Sequence, residues 1–306
     1  MKKLKNNPFG SLITAVVTPF KETLAVDYEK AASLAKKLIQ EGNDGLVVAG
    51  TTGESPTLSH EEKIQLFKTV KQAVGAEIPV IAGTGTNSTQ GTITLTQEAE
   101  SLGMDGALVV CPYYNKPPQE GLYQHFKKVA ENTKLPIIIY NIPGRTGINM
   151  LPETVERLAA VPNIVGIKEA SGSVEQVSEI SRRISKSSTQ FFIWSGDDGL
   201  TLPFLSCGAI GVISVAAHLA AGEMKEMIQS FFEGKVEKAL KIHLHLLPLF
   251  KALFMTTNPI PVKAALKLTG FPVGGLRPPL VEASEKEIRL LEEALEAIKN
   301  LPSAAR

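Results

Sequence analysis

Ile164-Val165-Gly166-Ile167-Lys168-Glu169-Ala170-Ser171-Gly172 is the stretch on which the reading of this chain turns. Pro162-Asn163 bounds it on one side and a Ser/Gly turn on the other, which predicts a short β-branched strand with a lysine at its C-terminal end. Strands that are apolar along their length belong to sheets covered on both faces, so a lysine leaving one enters a medium of low dielectric. Burial disfavours the ammonium form and pulls the pKa down from about 10.4, which makes the amine a nucleophile near neutral pH. That is the chemistry of a Schiff-base lysine. The alternative is a lysine whose aliphatic stem carries its charge out to solvent.

Working outward, apolar β-rich runs recur at Leu12 to Val17, Gly45 to Val48, Pro79 to Ala82, Gly106 to Val110, Ile137 to Tyr140, Ile164 to Lys168, Phe191 to Ser195 and Ala209 to Ser214. Segments with 3.6-residue patterning separate them, for example Tyr28 to Gln40, Glu61 to Val74, Thr92 to Leu102, Gly121 to Asn132, Pro152 to Ala160 and Val174 to Ile184. Eight such repeats predict an α/β fold, a (β/α)8 TIM barrel of parallel strands. An open doubly wound sheet fits less well. Thr18-Pro19-Phe20 follows the first strand where a glycine-rich turn would be needed, and Gly83-x-Gly85-x-x-Ser88 lacks the last glycine of a dinucleotide fingerprint.

After about residue 232 the alternation stops, so residues 1–232 are expected to form the catalytic barrel and 233–306 a C-terminal helical appendage. Lys235 to Thr256, Pro261 to Thr269 and Ser284 to Lys299 read as helices, the last opened by Ser284 with Glu287 at capping-box spacing. Thirty-two basic residues balance 31 acidic ones, and no basic cluster exceeds Met1-Lys2-Lys3-Leu4-Lys5. That balance leaves no footprint for nucleic acid or an anionic membrane, and a small substrate is expected. No apolar run is long enough for a membrane span, and Thr14, Thr18 and Pro19 interrupt Ser11 to Phe20, so no secretory signal is expected. Cys111 and Cys207 lie far apart without metal spacing, which suits a reducing cytoplasm; the five histidines are scattered, and no metal site is read.

A barrel places its chemistry at the C-terminal ends of its strands. There the sequence has Gly50-Thr51-Thr52-Gly53-Glu54-Ser55, Cys111-Pro112-Tyr113-Tyr114-Asn115-Lys116-Pro117, Tyr140-Asn141-Ile142-Pro143-Gly144-Arg145-Thr146-Gly147 and Ser195-Gly196-Asp197-Asp198. Each alone has a bland reading: the threonines and aspartates could cap the helices that follow, and the tyrosines could be packing rings with wet hydroxyls. Their joint arrival on strand ends with Lys168 is hard to ascribe to capping.

These segments, with Ile167-Lys168-Glu169-Ala170-Ser171-Gly172 and Gly211-Val212-Ile213-Ser214-Val215, occur in the order seen in the dihydrodipicolinate synthase and N-acetylneuraminate lyase family. The chain resembles that family of class I, pyruvate-dependent aldolases over nearly its whole length. Within it the likeness is greatest to members that condense pyruvate with L-aspartate 4-semialdehyde in lysine and diaminopimelate biosynthesis. The alternatives are a pyruvate-dependent sugar-acid aldolase of the same family, or a barrel that binds keto acids without turning them over.

The resemblance implies a role for each matching position. Lys168 would form the Schiff base with pyruvate, and Tyr140 would shuttle protons in a relay with Thr51 and Tyr114, the latter lent by a neighbouring subunit. Thr51 and Thr52 would bind the carboxylate of pyruvate, and Arg145 the carboxylate of the semialdehyde. Gly196 and Ile213 would line the pocket. A homotetramer, as a dimer of dimers, is implied, and no cofactor, since the lysine supplies the electron sink. Lysine-inhibited members hold the inhibitor through a carboxylate and a histidine at a subunit interface. Ser55, His60, Asn87 and Tyr113 match that pattern, but Gly91 and Lys63 stand at the carboxylate and histidine positions and Pro56 replaces a small residue. Weak or absent inhibition by lysine is therefore expected.

Overall fold

The computed structural model describes residues 7–185 and 190–299; the Met1-Lys2-Lys3-Leu4-Lys5 cluster lies outside them. In chain order the elements are β1 (Leu12–Ala15), α1 (Tyr28–Gln40), β2 (Gly45–Val48), α2 (His60–Val74), β3 (Val80–Gly83), α3 (Thr89–Ser101), β4 (Gly106–Val110), α4 (Gln119–Ala130), β5 (Ile137–Asn141), α5 (Pro143–Thr146), α6 (Pro152–Ala159), β6 (Ile164–Glu169), α7 (Val174–Ile184), β7 (Phe192–Ser195), α8 (Thr201–Ser206), β8 (Gly211–Ser214), α9 (Ala221–Phe232), α10 (Val236–Leu253), α11 (Ile260–Leu268) and α12 (Glu285–Lys299). The eight strands close into a barrel in the order β1 to β8, the (β/α)8 architecture read from the sequence. Three helices went unread. α5 and α8 are too short to show a helical period, and the start of α9 is hidden in a run of alanine and glycine.

The chain divides into two compact units, one of residues 7–11 with 79–213 and the other of residues 12–78 with 214–299. In the first, β3 to β8 pair successively in parallel. β5 is buried along its whole length, which is why Ile137-Ile138-Ile139 reads as an uninterrupted apolar run rather than an alternating one. Gly166 in β6 has no room for a side chain, because a Cβ there would collide with the Phe192 carbonyl and the Trp194 ring. Trp194, fully buried, donates its indole N–H to the Gly10 carbonyl at 3.0 Å. Side-chain caps fix the helix entries: Ser88 accepts from the Gly91 amide and Ser173 from the Gln176 amide.

In the second unit β1 and β2 pair in parallel, and Ser59 opens α2 with a reciprocal capping box to Glu62. His218, buried after β8, accepts the Val17 amide on Nε2 at 3.2 Å and faces the Val215 carbonyl with Nδ1 at 2.8 Å. Burial pulls its pKa down to about 4, so this imidazole is a neutral tie between segments rather than an acid or base. The C-terminal helices pack on one another, with His245 Nε2 donating to the Ile298 carbonyl at 3.0 Å at the end of α12. The expected start of α12 is present: Glu287 accepts from the Ser284 amide at 2.7 Å and returns its own amide to the Ser284 hydroxyl.

Candidate active site

Lys168 is the penultimate residue of β6, which ends on Glu169, and the pleat sends the two side chains to opposite faces. Lys168 is only 5% exposed. Loss of water around the amine lowers its pKa from 10.5 to about 8; the Asp198 carboxylate opposes the shift and the Arg145 guanidinium adds to it. A substantial fraction of this amine is therefore neutral and nucleophilic close to physiological pH. Its Cα partner on β5 is Tyr140, itself buried, and Lys168 Nζ lies 4.3 Å from the centre of that ring. On the other side, β7 runs into Gly196. A Cβ at Gly196 would stand 3.1 Å from Lys168 Cε and 2.7 Å from Ala170 Cβ, so a bare backbone is what lets the lysine stem pass. Ile213 is buried on β8 of the same unit.

Glu169, facing away from the amine, organises the loop that carries Arg145. It accepts from the Ser171 amide at 2.7 Å, from Asn141 Nδ2 at 3.1 and 3.2 Å, and from Gln176 Nε2 at 3.2 Å. Asn141 also donates to Asn149 Oδ1 and accepts the Met150 amide, which pins both ends of the 142–149 excursion. Burial raises the pKa of Glu169 even though these donors favour its charged form. Arg145 sits on the one-turn helix α5 and is exposed.

Tyr114 is placed differently. It adopts a left-handed backbone (φ 72°) and is 89% exposed, so its ring stands almost wholly in solvent on the chain that carries it. Its neighbour Asn115 anchors the segment by donating to the Asn87 carbonyl at 2.9 Å.

In the second unit, Thr51 and Thr52 occupy the tight turn after β2. Amides of Gly53, Glu54 and Ser55 fold back onto the Gly50 and Thr51 carbonyls, and Thr18 Oγ1 donates to the Gly53 carbonyl at 2.6 Å. Thr52 is buried and its hydroxyl accepts from Asn258 Nδ2 at 2.9 Å, while Thr51 is half-buried.

Within the first unit the structure thus brings together Lys168, Tyr140 and Gly196 and holds Arg145 in the field of the lysine. The sequence reading assigned no role to Asp198, Glu169, Asn141 or Asn258. Asp197 is the cap that the bland reading allowed, accepting from the Gly199 amide at 2.8 Å, whereas buried Asp198 acts on the lysine. A polar pair directly after a buried strand was the available signal for Asp198; for Asn258, far along the chain, there was none. Cys111 is buried and its thiol is pushed well above the usual range, which removes it as a rival nucleophile. Among the described residues no group of three or more histidine, cysteine, aspartate or glutamate side chains is placed to hold a metal ion, and no helix is long and apolar enough to cross a membrane.

Comparison with known proteins points the same way. The profile of the dihydrodipicolinate synthetase family matches residues 8–298. The chain is 57% identical over 294 residues to the 4-hydroxy-tetrahydrodipicolinate synthase of Desulforamulus reducens, covering 96% of each chain. It is 55% identical over 294 residues to the enzyme of the same name from Cyanothece sp., covering 96% of this chain and 99% of that one. Among solved structures, DHDPS from Cyanidioschyzon merolae with lysine bound superposes with a TM-score of 0.93 at 49% identity, over 96% of this chain and 99% of the other.

Proposed function

The chain belongs to the dihydrodipicolinate synthetase family, and we propose that it condenses pyruvate with L-aspartate 4-semialdehyde through a Schiff base on Lys168, giving 4-hydroxy-tetrahydrodipicolinate. The observation that carries this reading is the buried Lys168 amine, its pKa lowered to about 8, held 4.3 Å from the centre of the Tyr140 ring.

The neutral Lys168 amine attacks the keto carbon of pyruvate, and water leaves to give an iminium. That cation withdraws electrons from the adjacent methyl group, so a methyl proton passes to the Tyr140 oxygen and an enamine forms. A phenol of pKa about 10 takes a proton at neutral pH only where a neighbouring cation or donors stabilise its anion. The positive charge on Lys168 supplies one such influence, and the hydroxyls of Thr51 and of a neighbour's Tyr114 are assigned as the rest of the relay. The enamine carbon then adds to the aldehyde carbon of the semialdehyde. The amino group of the adduct attacks the iminium carbon and displaces the lysine, closing the ring with one water released overall. Thr51 and Thr52 are the proposed site for the pyruvate carboxylate. Arg145 is the clamp for the second carboxylate, where a planar guanidinium makes a paired contact; Gly196 and Ile213 are proposed as pocket lining.

The exposure and left-handed backbone of Tyr114 support an assembly in which a second copy of the chain covers it, with a homotetramer as the proposed state and the cytoplasm as its place. The test supplies pyruvate and L-aspartate 4-semialdehyde and follows the product through a dihydrodipicolinate reductase by loss of NADPH. NADPH loss that depends on the protein, with Arg145→Gln raising KM for the semialdehyde but not for pyruvate, supports the reading. Borohydride trapping of pyruvate without NADPH loss would move the chain to the sugar-acid aldolases; trapping of none would favour a binder.

A further inference from the structure

Glu54 and Lys263 form a fully buried ion pair, Nζ to Oε1 2.6 Å, with side chains 1% and 2% exposed. Lys263 also donates to the Gly275 carbonyl at 2.8 Å and lies 4.2 Å from the centre of the Phe20 ring. The other Glu54 oxygen accepts the Arg277 amide at 3.0 Å, and the Arg277 guanidinium donates to the Leu24 and Thr57 carbonyls and to Glu62. Two of these bonds, from the Lys263 ammonium and the Arg277 amide, end on Glu54 in the turn that carries Thr51 and Thr52. Two residues beside it that are not glycine, Ala49 (φ 54°) and Glu54 (φ 56°), adopt left-handed backbone. Such a conformation is strained for a residue with a Cβ and persists only where the surroundings impose it. For Glu54 those surroundings are Lys263 of α11 and Arg277 beyond it. A buried ion pair is a poor source of stability, because desolvation cancels most of its attraction, so its retention here is better explained by orientation.

Asn258 adds a chemical consequence. Its amide donates to Thr52 Oγ1 at 2.9 Å, and that bond directs the hydroxyl's own proton elsewhere. A hydroxyl fixed as an acceptor on one side is a donor on the other, which is what a carboxylate requires.

We propose that Asn258 and Lys263 are positioning residues for the substrate carboxylate: Asn258 sets the Thr52 hydroxyl as a donor, and Lys263 holds the turn in place through Glu54. The inference rests on the assignment of Thr51 and Thr52 to the pyruvate carboxylate.

The test measures KM for each substrate and the pyruvate dependence of borohydride trapping, in the unsubstituted protein, Asn258→Asp, Asn258→Ala and the Glu54→Gln/Lys263→Met double variant. Folding of each is checked by circular dichroism and Tm. Asn258→Asp places an acceptor where the donor was and is expected to raise KM for pyruvate about tenfold or more near neutral pH, with kcat and KM for the semialdehyde within about twofold. Its ratio to the unsubstituted KM should fall as the pH is lowered, because the introduced carboxyl group, once protonated, donates again. A merely structural lesion has no reason to show that recovery. The double variant removes both charges at similar volume and is expected to stay folded, with KM for pyruvate raised about threefold or more. If Asn258→Asp does not fold, Asn258→Ala replaces it, with about a threefold rise in the same constant expected. KM for pyruvate unchanged in the folded variants, or a rise in Asn258→Asp without recovery at low pH, overturns the proposal. Failure of the unsubstituted protein to trap pyruvate overturns the carboxylate assignment as well.

Discussion

Lys168 and Tyr140 are paired Cα to Cα between β6 and β5, with the lysine amine 4.3 Å from the centre of the tyrosine ring. The register of two parallel strands therefore sets the distance between the proposed nucleophile and the proposed proton carrier. Because neighbouring strands lie about 4.8 Å apart, residues at matched positions with side chains on the same face are brought within reach of one substrate atom.

Burial of the amine has a cost that can be measured. The folded pKa of about 8 lies below the ordinary 10.5, so between those values the unfolded chain binds the proton and the folded chain does not. Stability accordingly rises with pH across that window, and below about pH 8 the penalty is complete at roughly 3 kcal/mol. Lys168→Met should raise Tm near neutral pH, with the gain fading above about pH 10. A lower Tm for the variant would contradict this.

With Lys168 as the proposed nucleophile, the same amine is expected to set the pH dependence of catalysis. Attack on pyruvate needs the neutral form, so kcat/KM for pyruvate should fall about tenfold for each pH unit below the apparent pKa near 8. The Asp198 carboxylate favours the ammonium form, so Asp198→Asn should move the profile to lower pH. A profile unmoved or shifted to higher pH would refute the assignment.

Tyr140→Phe keeps the ring beside the amine and removes the oxygen. Turnover should fall by roughly two to three orders of magnitude, as expected for loss of a proton-transfer group. Pyruvate should still be trapped on Lys168 by borohydride after long incubation, because the amine and its burial are retained. Turnover within a factor of a few of the unsubstituted protein would remove Tyr140 from the mechanism.

Most of the fold could be read from the sequence because its strands are buried on both faces and appear as unbroken apolar runs. Ile137-Ile138-Ile139 and Ile164 to Lys168 are the clearest cases. Lys168 could be found because it closes such a run; Tyr140 closes another and Arg145 stands five residues beyond it, and their roles came from the family resemblance. Asp198 is not distinguishable from a cap in the sequence, since an aspartate after a strand is as often a cap, and its neighbour Asp197 is one. Among the hydrogen bonds of Glu169, Asn141 and Asn258 are ones to residues 8, 28 and 206 positions away in the chain, and no local pattern encodes those separations.

Regulation by the pathway's end product is expected to be weak. Lys63 is a half-buried cation whose pKa burial lowers, and Gly91 in the first turn of α3 offers no carboxylate. A cationic amino acid would meet an added positive charge and no anion for its ammonium group. Initial rates over a range of lysine concentrations should show no half-inhibition below the millimolar range; potent inhibition would contradict the reading.

The most direct test of the central claim is to incubate the protein with pyruvate, reduce with borohydride, and locate the adduct by peptide mass spectrometry. A single reduced pyruvyl adduct is expected on the peptide containing Lys168, absent from a folded Lys168→Ala variant. An adduct on another lysine, or one that persists in that variant, would contradict it.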